Sequence, residues 1–203
     1  MLQIKEIEQN YVEEIIINRS KFFAHSFIVH NISEVENSLS ILTKKYPDAT
    51  HICYAYSIYP NLEKSFDDGE PQGTAGKPIL DCIKKSGYQN VLVAIVRYFG
   101  GIKLGAGGLV RAYSGGASKV LSVSGEKTAT ECKKISFELT LAESKFLQPI
   151  KNLKIKKLEV SYGTEIKILV FCELTNIEII KTQIKNIVAR DISFKCDDEV
   201  FFL

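Results

Sequence analysis

Two stretches concentrate the groups that can do chemistry. The first is RYFGGIKLGAGGLVRAYSGG, residues 97–116, where seven of the chain's 13 glycines fall between Gly100 and Gly116. Lys103 sits inside it, and Arg97 and Arg111, two of only four arginines, flank it. The stretch follows an apolar strand pattern and opens a helical one. Backbone N–H groups at such a helix start, unobstructed by Cβ atoms, make an anion site. Arginine suits planar, bidentate recognition of phosphate. The spacing therefore offers Gly100, Gly101, Lys103, Gly105, Gly107 and Gly108, with Arg97 and Arg111, as a site for a phosphate group of a nucleotide or an RNA backbone. The same glycines also suit a tight turn that packs a helix closely on a sheet. Spacing alone does not separate the two.

Known loop signatures do not fit. A Walker A loop needs Lys and Ser or Thr after its last glycine, and Gly105 is followed by Ala106 and Gly107. The dinucleotide fingerprint fails at Val110. Ala112 to Gly116 mimics a nucleophile elbow, but Ser114 falls inside a predicted helix and all three histidines precede it.

The second stretch is SFDDGEPQGTAGKP, residues 65–78. Asp67, Asp68 and Glu70 place three carboxylates in four residues, and Gly73, Thr74 and Lys77 follow at a predicted helix start. One reading is a metal or general-base site beside an anion-binding helix end. The other, favoured, is a solvated turn with acids near a helix dipole. His51 opens a strand and Arg97 ends the next. If those strands are neighbours, His51, the acidic loop and the glycine loop converge, with His51 as proton carrier and Asp68 or Glu70 as base; a structural, hydrogen-bonded histidine is the commoner role. A third feature is the run KFLQPIKNLKIKK, with Lys145, Lys151, Lys154, Lys156 and Lys157 and no acid. It reads as an RNA-facing patch or, more commonly, a solvated helix face.

The elements that must position these groups follow from periodicity. Val12–Ile17 and Lys21–Val29 read as a strand pair around Asn18, Arg19 and Ser20. Ser33 and Glu36 suggest a capping box, with Val35, Leu39, Leu42 and Tyr46 at helical spacing before Pro47. His51–Tyr59 alternates as a strand, a polar loop follows, and a helix runs from about Thr74 or Gly76 to Ser86. Asn90–Tyr98 reads as a central strand and Leu109–Val123 as a helix. Beyond a small, polar segment at 122–132, strands are predicted at Lys134–Leu141, Lys157–Tyr162, Glu165–Cys172 and Asp191–Phe202. Helices fall near 144–154 and 176–189, the second with a Thr175/Glu178 capping box. That order is the split βαβ, or ferredoxin-like, sandwich. The expectation is an α+β protein with domains at 1–128 and 129–203.

Composition narrows the classes. The 203 residues carry 26 Lys+Arg against 24 Asp+Glu, a net charge of +2, and each predicted domain carries +1. A net charge near zero argues against bulk electrostatic binding of nucleic acid, though not against a local patch. The longest aliphatic run, Val91 to Val96, is too short for a membrane span. The N-terminal residues lack the pattern of a secretory signal, and five scattered cysteines fit neither a disulfide framework nor a metal site. A cytoplasmic protein without cofactor or metal is expected.

The segments Arg19–His25, Thr50–Tyr56, Asp67–Gly76 and Arg97–Tyr113 together resemble the YigZ/IMPACT family, and the residues after 128 resemble, on a weaker pattern, the C-terminal domain of its bacterial YigZ-type members. The resemblance implies a first domain like the second domain of a small-subunit ribosomal protein and part of elongation factor G. It implies a ferredoxin-like second domain similar to the C-terminal domain of elongation factor G. In eukaryotic IMPACT proteins the implied role is translational control, by competition for a ribosome-associated activator of an initiation-factor kinase. That role depends largely on an additional N-terminal domain, for which the motif region, starting by Arg19, leaves no room. His51, Asp68, Glu70, Arg97, Lys103 and Arg111 match family motif positions, which implies one shared polar site. The leading expectation is a translation-related regulator binding RNA or the ribosome through the glycine loop. The competing ones are an enzyme acting on a nucleotide or phosphorylated metabolite, and a protein-binding module using the edge of the second sheet.

Overall fold

The computed structural model describes residues 2–203, apart from the side chains of residues 198 and 199. It is an α+β protein with two five-stranded sheets. The chain divides into two compact units, residues 5–128 and residues 1–4 with 129–203. The N-terminal strand β1 (Gln3–Glu6) is not visible in the hydrophobic pattern; it pairs with β7 (Lys127–Leu139).

In the larger unit, β2 (Tyr11–Ile17) and β3 (Ser20–Ile28) form a hairpin. Asn18 and Arg19 both have positive φ, as a two-residue hairpin turn requires. Helix α1 (Ile32–Lys45) starts earlier than the Ser33/Glu36 pattern suggests. Asn31 is its N-cap and accepts from the Glu34 amide, while Glu34 reaches back to the His30 amide. Strand β4 (His51–Ile58) is followed by β5 (Leu62–Phe66). The polar loop expected after β4 contains β5, which is exposed at every position and shows no alternation. Helix α2 (Gly76–Ser86) ends on Gly87 in the left-handed conformation.

Strand β6 (Val91–Tyr98) lies at the centre of the sheet, in the order β2-β3-β6-β4-β5 with antiparallel pairing at its neighbours. Its side chains serve both faces. Val91, Val93 and Ile95 join Ile79 and Ile83 of α2 and Tyr113, Ala117 and Val120 of α3 (Gly105–Val123). Leu92 faces the α1 side with Val35 and Tyr56. Helix α3 begins four residues before the predicted Leu109, so Gly105, Gly107 and Gly108 form its first turn rather than a loop. Gly116 lets α3 approach the sheet, since a Cβ there would stand 3.1 Å from Ile95 Cδ1.

The second unit runs β7, a 3-10 turn at Leu141–Phe146, α4 (Leu147–Lys151), β8 (Lys157–Tyr162), β9 (Ile166–Glu173), α5 (Ile177–Val188) and β10 (Lys195–Phe202). Strand β7 pairs with both β9 and β10, and β9 with β8, all antiparallel. Its core joins Ile135, Ile168 and Val170 of the sheet to Ile150 of α4 and Ile180 and Ile184 of α5. Pro149 is accommodated because α4 is short and places it in the first turn. The expected Thr175/Glu178 capping box does not form; Asn176 caps α5 without a side-chain bond, and a capping box appears instead at Thr140 and Glu143.

Candidate functional site

Strands β4 and β6 are neighbours, and His51 lies opposite Arg97 in their register. Cross-strand partners share a face. The loop after β5 and the start of α3 close over that face and leave a cleft of about 430 Å³. It is lined by Thr50 and His51, Glu70 and Pro71, Arg97 and Phe99, Lys103 and Leu104, and by Gly105, Ala106 and Leu109 of α3.

The floor is a buried network. Glu70 is 8% exposed and Arg97 5%. Arg97 Nη1 donates to Glu70 Oε1, and Tyr113 Oη donates to the same oxygen at 2.8 Å. Cys53 Sγ donates to the Asp67 carbonyl at 2.9 Å and lies 3.3 Å from Tyr113 Oη. Burial pushes the Cys53 thiol up to about 12, so it is not a nucleophile at neutral pH. Burial, and then neighbouring Cys53 and Glu70, hold the Tyr113 hydroxyl well above its usual value, so it donates as a neutral phenol. Arg97 lies against Phe22 and Phe99, its guanidinium carbon 5.4 and 5.6 Å from the ring centroids. Its Nε has no hydrogen-bond partner. An unmade hydrogen bond on a buried donor costs about 1–3 kcal/mol.

His51 is oriented from behind. Its Nδ1 lies 2.7 Å from the Asp68 carbonyl oxygen, which fixes Nδ1–H as the donor and leaves Nε2 on the cleft side, 4.0 Å from Glu70 Oε1. The three carboxylates of the acidic loop have separate tasks. Asp68 Oδ2 accepts from the Ile52 amide. Asp67 accepts from the amides of Gly73, Ala75 and Gly76 and so caps α2 from eight residues away. Burial opposes ionisation of Asp67, but those three amides outweigh it and hold the carboxyl below its usual range. Only Glu70 turns into the cleft.

This arrangement sorts the residues singled out from sequence. His51, Glu70, Arg97, Lys103 and Gly105 come together. Gly73 and Thr74 do not: Asp67 occupies the α2 amides that the spacing offered to a phosphate, and Thr74 Oγ1 donates to the Pro71 carbonyl. Lys77 pairs with Asp81 one turn along α2, at 2.7 Å. Gly100 has a structural task, since a Cβ there would meet the Arg19 backbone at 2.1 Å. Gly101 has positive φ in the loop before α3. Gly107 and Gly108 lie in the first turn of α3, and Arg111, one turn on, lines a different cleft with Lys85, Tyr88 and Ser114. In the second unit Lys145, Lys151, Lys154, Lys156 and Lys157 are exposed. Lys156 pairs with Glu173 and Lys157 with Glu159, which leaves three of the five without an ion pair among the described residues.

Two members of the site lack a distinctive sequence signal. Tyr113 was visible only as a helix residue, although the spacing Leu109, Tyr113, Ala117 places its hydroxyl on the buried face, where it must find a partner. Phe99 looked like one more apolar residue of the loop.

The start of α3 completes the cleft. Its N-cap, Leu104, makes no side-chain hydrogen bond, and the first turn holds no acid. Among the described residues, no side chain accepts from the amides of residues 105–108, and Lys103 has no ion-pair partner. A 19-residue helix thus opens beside a lysine and a buried arginine with its positive end unmatched. The described residues contain no group of three or more His, Cys, Asp and Glu side chains able to hold a metal ion. No described helix is long and apolar enough to cross a membrane.

Residues 18–121, which build this cleft, match the family model of the Impact N-terminal domain. The IMPACT family member YvyE of Bacillus subtilis is 40% identical over 141 residues, covering 68% of this chain and 64% of that protein. An IMPACT family member of Haemophilus influenzae is 31% identical over 168 residues, covering 81% of this chain and 71% of that one. YigZ of Escherichia coli is 39% identical over 114 residues, 54% of this chain and 55% of YigZ. The match thus spans under two thirds of the length of YvyE and of YigZ. A crystal structure of a protein described only as hypothetical shares the fold, with a TM-score of 0.73 at 22% identity over 98% of this chain and 99% of that one. The matched domain fills just over half of the sequence and contains the whole cleft, and the chain belongs to the IMPACT family.

Proposed function

We propose that this protein is a translation-related regulator that associates with RNA or the ribosome, with the cleft between β4, β6 and α3 seating a phosphate group. The observation that carries the phosphate half is the start of α3, whose first turn has no acid and no side-chain cap and which lines the cleft beside Lys103 and Arg97. A phosphate oxygen supplies the acceptor that the first amides of α3 lack. Membership of the IMPACT family supports the regulatory half. The exposed lysines 145, 151 and 154 add attraction to a polyanion without raising the overall charge. The order β7-α4-β8-β9-α5-β10, with β10 and β9 flanking β7, supports reading residues 129–203 as a ferredoxin-like domain beside an IMPACT-type domain at 1–128.

The test is co-sedimentation with ribosomes and with total RNA across a salt series. Binding that weakens as salt rises, and falls further in Lys103→Ala, supports the proposal, because phosphate contacts release counterions. No co-sedimentation at low salt with a folded chain overturns it.

A further inference from the structure

We infer that the free edge of β2 takes an extended segment of a partner protein as an added strand, one that sets a lysine or arginine against Glu14 and apolar side chains against Val12 and Ile16. This is independent of the phosphate cleft.

Strand β2 ends the sheet order β2-β3-β6-β4-β5, so one side of it pairs with no other strand. The two-residue turn at Asn18 and Arg19 makes Ile17 and Ser20 a hydrogen-bonded pair. Antiparallel pairs alternate, so Ile15 and Glu13 also bond to β3, while Val12, Glu14 and Ile16 turn their N–H and C=O groups to the open side. The Tyr11 amide agrees, donating to Ser26 Oγ of β3 at 3.1 Å. The other edges are guarded. Strand β5 is five residues long, carries Lys64, and is crowded at its end by α2, since a Cβ on Gly76 would lie 2.6 Å from the Phe66 amide nitrogen. Strand β1 has four residues, β8 opens on Lys157, and β10 breaks register between Cys196 and Val200. Shortness, lysine and irregularity are what keep an edge from pairing. Strand β2 has seven residues in unbroken register, with no lysine and no proline.

The side chains of Val12, Glu14 and Ile16 share one face of the sheet. Val12 is 44% and Ile16 63% exposed, and Glu14 is exposed between them without an ion pair among the described residues. Glu13, on the opposite face, is already matched by Lys119 at 2.7 Å. An incoming strand therefore meets apolar, acid, apolar, and its complement is apolar, basic, apolar. A second copy does not supply it. Two-fold pairing over the whole strand centres on Glu14 and sets the two Glu14 side chains opposite each other, and like charges directly opposite are destabilising. In strand addition the backbone bonds give affinity and the alternate side chains give specificity.

The experiment selects random displayed peptides, each as long as the seven residues of β2, on the full chain. The selected peptides are expected to carry a lysine or arginine with an apolar residue two positions to either side. Their binding, read by fluorescence anisotropy, should fall at least about tenfold in Ile16→Lys. Glu14→Lys should exchange the preference for a basic centre for an acidic one. Both positions are exposed, and an unchanged circular dichroism spectrum verifies the fold of each variant. Hydrogen exchange at the amides of Val12, Glu14 and Ile16 should slow when peptide binds. Selected peptides without a basic centre, or binding that both variants leave unchanged, overturn the inference, as does a library that yields no binder. A dimer of the parent chain that Ile16→Lys dissolves makes the occupant a second copy and overturns the partner segment.

Discussion

Helices α2 and α3 lie in the same unit, pack on the same face of the same sheet, and each follows a glycine-containing, turn-rich segment. Their first turns are opposites. The α2 start is closed by the chain's own carboxylate, with Asp67 accepting from three amides. The α3 start has no acid in its first turn and no side-chain cap, and it stands beside Lys103. A helix start exposes the same unpaired N–H groups wherever it occurs. Whether it becomes a binding site depends on whether an internal anion reaches it first. Glu70, the carboxylate that lines the cleft, makes no hydrogen bond to the α3 amides; it accepts from Arg97 and Tyr113 instead.

That difference can be broken from either side. The largest effect is expected at the floor. Glu70→Ala leaves Arg97 and the Tyr113 hydroxyl buried without their acceptor, and denaturant unfolding should show a loss of about 3–5 kcal/mol. A loss under about 1 kcal/mol would mean that the network does not hold the cleft together.

Next comes the cap on α2. Asp67→Ala removes the acceptor of three amides and should cost about 1–2 kcal/mol. It should also make the α2 start behave like the α3 start: inorganic phosphate or sulfate should raise the melting temperature of the variant more than that of the parent. Equal shifts would mean that an internal anion is not what separates the two helices.

The pH dependence sharpens the same point. The folded-state pKa of Asp67 is depressed, so its contribution is present above the ordinary aspartate pKa of about 4 and is lost as pH falls through the lower folded value. The stability gap between the parent and Asp67→Asn should therefore narrow below about pH 4. A gap that widened in acid would contradict the cap.

The smallest change runs in the other direction. Gly107 is in the first turn of α3 and a Cβ there meets nothing closer than Arg111 Nη1 at 3.8 Å. Gly107→Glu adds helix propensity and an acid at the positive end of the helix, and should stabilise by about 0.5–1 kcal/mol. Binding of phosphate-bearing ligands should fall in the same variant. Stabilisation with undiminished binding would move the phosphate away from α3.

Much of the fold was legible because period and punctuation agree with the final packing. The unbroken apolar run of β6 marks a strand buried on both faces, and Gly87 marks the end of α2. The exceptions have physical causes. Strand β5 is an exposed edge whose side chains need no pattern, and β1 is four residues long. Helix α3 begins in glycines, which weaken the helical signal, because Gly105 has positive φ and the turn before it must pass close to Arg19. The Thr175/Glu178 box failed because a 3-10 turn at Leu174–Asn176 shifts the start of α5.

The site divides along the same line. Residue type and spacing singled out the glycine segment, the scarce arginines and His51, since these follow from local chemistry alone. Spacing did not distinguish Asp67, Asp68 and Glu70, which stand within four residues and look alike. Their tasks depend on which amide, carbonyl or guanidinium the folded chain brings opposite each, and those partners lie as far away in sequence as Arg97 and Tyr113. Local composition determined that helix starts and cations would be available. Only the tertiary structure decided that one helix start would be satisfied from within and the other left open, because the direction of a carboxylate is set by contacts across the sheet.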